Sequence, residues 1–74
     1  MGNARVHTLY RRGGWLVELE DGGVLAQDLD HDEALALGAS KAESLSADHV
    51  IHAKDGLVLE ERRHADWAQV DSGR

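Results

Sequence analysis

At 74 residues the chain has material for one domain, and it contains no cysteine, so neither disulfides nor a thiolate zinc site can reinforce a marginal core. Fourteen acidic residues against eight basic ones give a formal charge of −6, which argues against a general binder of phosphate backbones. No apolar run reaches transmembrane length and the N-terminus has no secretory apolar region, so a cytoplasmic protein without membrane association is expected.

The first strand is expected over Arg5 to Tyr10, where Val6, Thr8 and Tyr10 alternate with His7 and Leu9. Arg11-Arg12-Gly13-Gly14 reads as a turn. The second strand runs from Trp15 to Glu20, with Trp15, Val17 and Leu19 on one side and Leu16, Glu18 and Glu20 on the other. Closing this hairpin pairs Tyr10 with Trp15, Thr8 with Val17 and Val6 with Leu19, which places all six on one face. Asp21-Gly22-Gly23 is the next turn. A three-residue loop there puts Leu25, Gln27 and Leu29 of the third strand on the core side, and is preferred to a two-residue loop that would bury Asp28.

Asp30 to Ser46 is the one predicted helix. Asp30 is placed to cap it and Glu33 to reach back to the cap N–H, while Asp32 and Glu33 suit the positive end of the helix dipole. Leu35, Gly38, Ala42 and Leu45, flanked by Ala34 and Ala39, form an apolar stripe of mostly small residues that can lie close on a sheet; Leu37 falls outside it and is expected to be exposed. A fourth strand comes next over Asp48 to Ala53 and a fifth over Leu57 to Glu61, joined by Lys54-Asp55-Gly56. His49, Ile51, Ala53, Leu57 and Leu59 are then expected on the helix side, and Val50, His52, Val58 and Glu60 on the other.

The order β-β-β-α-β-β implies a two-layer α+β domain over residues 1–61, with a mainly antiparallel five-stranded sheet and the helix on one face. The uncovered face is expected to carry Leu9, Leu16, Val24, Ala26, Val50 and Val58. Residues 62–74 form a polar tail that Trp67 and Val70 could dock onto that face, in the same or another copy of the chain.

Val6-His7, Gly14-Trp15-Leu16-Val17, the Asp30-x-x-Glu33-Ala34 helix start and His52-Ala53-Lys54-Asp55-Gly56 occur in the order and spacing of a small bacterial family, the one catalogued as domain of unknown function 2188. The chain resembles that family over about residues 5 to 61. It departs from the usual pattern in lacking Pro at the end of the first strand, in capping the helix with Asp30 rather than Thr, and in carrying fewer basic residues. The resemblance implies the fold and no activity.

The acidic cluster Asp28, Asp30, His31, Asp32 and Glu33 has the start of a calcium-loop spacing, but Glu33 and Ala39 stand where that loop needs Gly and Glu. A helix N-terminus accounts for the acids without a metal. No two of the histidines His7, His31, His49, His52 and His64 have metalloprotease spacing; His49 and His52 point to opposite faces of their strand, and His7 and His52 can meet on the uncovered face if the first and last strand pairs lie adjacent. His52 is expected to hydrogen-bond the backbone of the Asp55-Gly56 turn, and Trp15 to anchor the core. No phosphate loop, nucleophile elbow or cysteine nucleophile is present, and Ser40, Ser44 and Ser46 have no recognisable base, so no catalytic residue, cofactor or metal site is assigned.

The function expected from these features is a non-enzymatic interaction module, forming a homodimer or holding a protein partner through Leu9, Leu16, Val24, Val50, His52, Val58 and Trp67. The alternative is a nucleic-acid-binding accessory domain that uses Arg11, Arg12, Arg62 and Arg63, weakened by Glu18, Glu20, Glu60 and Glu61 on the same strands.

Overall fold

A computed structural model of the chain describes residues 4–63; the expected docking through Trp67 and Val70, and His64, lie outside the described residues. The elements are β1 (Arg5–Arg11), β2 (Gly14–Leu19), β3 (Val24–Leu29), α1 (His31–Leu45), β4 (Asp48–His52) and β5 (Val58–Arg62). They make one sheet in the order β3-β2-β1-β4-β5, antiparallel except where β1 and β4 run parallel. The two-layer α+β fold expected from the pattern is therefore present. A meander of β1, β2 and β3 leaves one edge of β1 open. The helix then crosses over β2 and β1 and returns the chain to that edge as β4. Such a crossover makes the β1–β4 pair parallel.

The first hairpin has the expected register, Val6↔Leu19, Thr8↔Val17 and Tyr10↔Trp15. Its strands extend one further pair, Arg11↔Gly14, so the turn is only Arg12-Gly13, with φ of 54° and 86°. Two successive positive φ values are the signature of the hairpin turn whose twist suits the strands. The helix is capped by Asp30, whose N–H donates to Glu33 Oε1 at 3.0 Å. It stops at Ser46, which takes the left-handed conformation while Ala47 N–H donates back to the Ala42 carbonyl at 2.8 Å.

The helix lies against the sheet through Ala34, Gly38 and Ala42, one turn apart each. Beneath it are Val6, Thr8, Val17, Ala47, His49 and Ile51, all buried. Trp15 is half-buried at the margin of this core, edge-on to Tyr10 and with its ring 4.5 Å from that of His31, the first helical residue. The expected stripe is narrower than its sequence suggested. Ala39 and Leu45 are exposed, whereas Leu37 packs partly against the core. Leu45 is the last helical residue, past Ala42, the last one buried against the sheet, and Leu37 flanks the buried row at its start.

Two expected registers are corrected by β-bulges, because each extra residue exchanges the faces of the residues after it. On β3, Val24 lies opposite Glu18, but Ala26 lies opposite Val17 and Leu29 opposite Trp15. Ala26 and Leu29 therefore face the helix, while Leu25 and Gln27 are exposed. Asp28 takes φ 59° within the second irregularity. On β5, Val58 lies opposite His52 as expected, but Glu60 lies opposite Ile51 and Glu61 opposite Val50. Glu60 is thus on the helix side, and Leu57 and Leu59 are exposed at 67% and 66% instead of joining the core.

Candidate functional site

The parallel β1–β4 pair is what makes a site on the uncovered face. It sets His7 beside Val50, and His52 lies one step further along the same face of β4. On the other flank of β1 the hairpin register sets His7 opposite Glu18, with Glu20 one step beyond. The result is a continuous chain of hydrogen bonds. Glu20 Oε1 lies 2.5 Å from His7 Nε2, His7 Nδ1 lies 2.9 Å from His52 Nε2, and His52 Nδ1 lies 3.3 Å from the Gly56 carbonyl oxygen. The imidazole centroids are 5.2 Å apart, the separation of two rings joined end to end, so each facing nitrogen aims its in-plane lone pair at the other.

The two ends of this chain set its protonation. A carboxylate and a carbonyl only accept, so His7 must carry its proton on Nε2 and His52 its proton on Nδ1. Those are the only protons that two neutral imidazoles possess. The facing nitrogens then present two lone pairs to each other across 2.9 Å, and that contact is a hydrogen bond only if one more proton lies between them. The bond from His7 holds the Glu20 carboxyl below the usual carboxylate range, helped by the charges of His7 and Arg5.

His49 is a different kind of histidine. It is 2% exposed under the helix, and its Nε2 lies 2.7 Å from Thr8 Oγ1, which in turn reaches the Ala34 carbonyl at 3.4 Å. If the Thr8 hydroxyl donates to that carbonyl, His49 Nε2–H donates to Thr8, and the unpartnered Nδ1 is an acceptor rather than a donor. Protonating Nδ1 would put a buried charge where no acceptor meets it. Burial, with the nearby Arg62 charge, lowers the His49 pKa to about 4. Gly38 provides the room: a Cβ there would lie 2.3 Å from Thr8 Oγ1 and 2.5 Å from His49 Nε2.

The expected apolar face is only partly exposed. Leu16 and Val50 are 6% and 5% exposed, Leu9 and His52 are half-buried, and Val24 and Val58 at the two edges are open to solvent. The Arg11–Glu18 ion pair crosses the row that holds Leu9 and Leu16, and the Arg5–Glu61 pair crosses β4 beside Val50. Long charged side chains laid over apolar ones keep an uncovered face from being wetted. The largest exposed apolar group is Leu57, Val58 and Leu59, consecutive residues at and before the start of edge strand β5.

The four arginines of the nucleic-acid alternative are not brought together. Arg11 and Arg12 sit at the hairpin tip, where a cleft of about 300 Å³ is lined by them, Leu16, Val24, Gln27 and Asp28. Arg62 lies opposite His49, near the start of β1, and is paired with Glu60 at 2.9 Å. The length of β1, roughly 20 Å at 3.3 Å per residue, separates the two groups. Among the described residues no three side chains of metal-ligating type converge.

The bond from His52 to its turn agrees with the expectation from sequence, and His7 and His52 meet because the first and last strand pairs lie adjacent, the condition that the sequence left open. Glu20 as the partner of His7 was missed, although the predicted hairpin already put both on one face a step apart. The Thr8–His49 bond was also missed; the small residue at Gly38 was its only signal. Comparison with family models, with curated proteins and with solved structures gives no match.

Proposed function

We propose that the chain is a non-enzymatic, cytoplasmic interaction module that self-associates as a homodimer along edge strand β5. The observation that supports this is the run Leu57, Val58 and Leu59, exposed at 67%, 59% and 66% on and beside a strand edge that pairs with no other strand among the described residues. Natural proteins guard such edges with charge, bulges or proline, and an apolar stretch of edge is a template for a second chain. Glu60, Glu61 and Arg62 put charge on the rest of β5, so the association centres on the apolar start of the strand. The centre of the sheet face contributes little, because Leu16 and Val50 are already buried. A small core gains most from such an association. The Gly14-Trp15 and His52-x-x-Asp55-Gly56 motifs carry the accompanying reading of the chain as a relative of the family catalogued as domain of unknown function 2188.

Sedimentation velocity on the wild type and on Leu59→Lys tests the proposal. The wild type is expected to sediment as a dimer in the micromolar range, and the variant, with a charge on the pairing edge, as a monomer. A wild type that stays monomeric to high micromolar concentration, or a dimer that the substitution leaves intact, would overturn it.

A further inference from the structure

We propose that His7 and His52 form a binding site for a divalent transition-metal ion of the zinc class, held between their two facing ring nitrogens. The first ground is direction. His7 Nδ1 and His52 Nε2 aim at one point from two neighbouring strands, 2.9 Å apart and end-on. Two zinc–nitrogen bonds of about 2.0–2.1 Å at a tetrahedral angle place the nitrogens about 3.3 Å apart, so the ion is admitted when the pair opens by about 0.4 Å and each ring turns by roughly 35° to point its lone pair off the nitrogen–nitrogen line.

The second ground is the state of the other two nitrogens. Metal-binding histidines donate their remaining ring N–H to a carboxylate or a backbone carbonyl, which selects the tautomer and orients the ring. Both histidines here do so, His7 to Glu20 and His52 to Gly56. In the neutral rings these two acceptors leave the facing nitrogens unprotonated, which is the form that ligates a metal. The chain thus presents two oriented imidazole lone pairs with an outer support on each.

The rest of the surroundings set the type of site. Glu18 on β2, Glu20 just after it and Glu61 on β5 give this face its negative groups, with Arg5 and Arg11 on β1 as its cations. Two protein ligands leave the remaining positions to water, so the ion exchanges freely and binds far more weakly than at a closed four-ligand structural site.

Titration of the full, untagged chain with zinc chloride tests this, read by calorimetry and by the ring nitrogen resonances of the histidines. One ion per chain is expected, with His7 Nδ1 and His52 Nε2 shifted and the rings of His31, His49 and His64 unmoved. His7→Gln and His52→Gln should each remove most of the affinity, and Glu20→Gln should lower it roughly 10- to 100-fold, as loss of an outer support does. The wild-type resonances decide the matter even if a variant misfolds. No heat and no shift at high micromolar zinc, or shifts confined to the other three histidines, would refute the site, as would unchanged binding by a folded His7→Gln/His52→Gln double variant.

Discussion

Gly38→Ala pits helix propensity against packing, and the structure decides which wins. In a solvent-facing helix this change stabilises by about 1 kcal/mol. Here the added methyl would lie 2.3 Å from Thr8 Oγ1, 2.5 Å from His49 Nε2 and 3.1 Å from His49 Cε1. Neither neighbour can withdraw easily. Thr8 and His49 are 0% and 2% exposed and are bonded to each other at 2.7 Å. Either the helix lifts from the sheet or that bond breaks. Overpacking costs about 1–3 kcal/mol, and stranding buried polar groups costs about 1–3 kcal/mol more. After subtracting the propensity gain the expected loss is roughly 1–5 kcal/mol. A chain of 74 residues has about 4–11 kcal/mol in total, so the melting temperature should fall by at least about 4 °C. Urea denaturation monitored by far-ultraviolet circular dichroism measures the loss. Ser40→Ala, on an exposed position of the same helix, serves as the control that reports propensity alone. Thr8→Ala should make the Gly38→Ala change less harmful, because it removes the nearest clash. A Gly38→Ala variant as stable as the wild type would refute the account of Gly38 as the residue that admits the Thr8–His49 pair.

The buried histidine and the helix end give two further expectations. Because the His49 pKa is lowered to about 4, the unfolded chain binds this proton from about pH 6.5 downward while the folded chain resists it. Stability should therefore be full above pH 6.5 and decline toward pH 4, by a total on the order of 3 kcal/mol at 1.36 kcal/mol per pKa unit. His49→Gln should flatten that slope between about pH 4.5 and 6.5; an identical slope in the variant would assign the decline to other groups. Ser46 ends the helix at φ 53°, where a Cβ is unfavourable, so Ser46→Gly should raise stability by about 0.5 kcal/mol despite its greater unfolded-state entropy. A lower denaturation midpoint for that variant would show that the Ser46 side chain contributes something its conformation does not reveal. The Leu59→Lys sedimentation test and the zinc titration address the edge strand and the histidine pair.

Where the sequence was legible, the information was local. The capped helix between Asp30 and Ser46 could be placed to the residue, because capping and helix termination depend on groups within one turn. The first hairpin could be registered, because its two strands carry matching apolar faces and are joined by a short turn. The β3 and β5 registers could not, since each depends on where a bulge falls, and a bulge is settled by fit to the neighbouring strand rather than by its own residues. That is why Leu59 was expected inside and is outside; Leu57, before the bulge, keeps its expected side but lies beside an edge strand that the helix scarcely covers, so the apolar surface moved from the sheet face to the β5 edge.

The candidate site divides the same way. The sequence alone determined that His7 and Glu20 share a face and that His52 lies beside its turn. It also left open whether β1 and β4 would be neighbours, since no local feature of either strand specifies a parallel partner so far away in the chain. Only the tertiary structure decided that, by sending the helix across the meander so that β4 pairs along the open edge of β1. One crossover thereby joined two separate histidines into a chain from Glu20 to Gly56, and placed Thr8 against His49 beneath Gly38 on the opposite face.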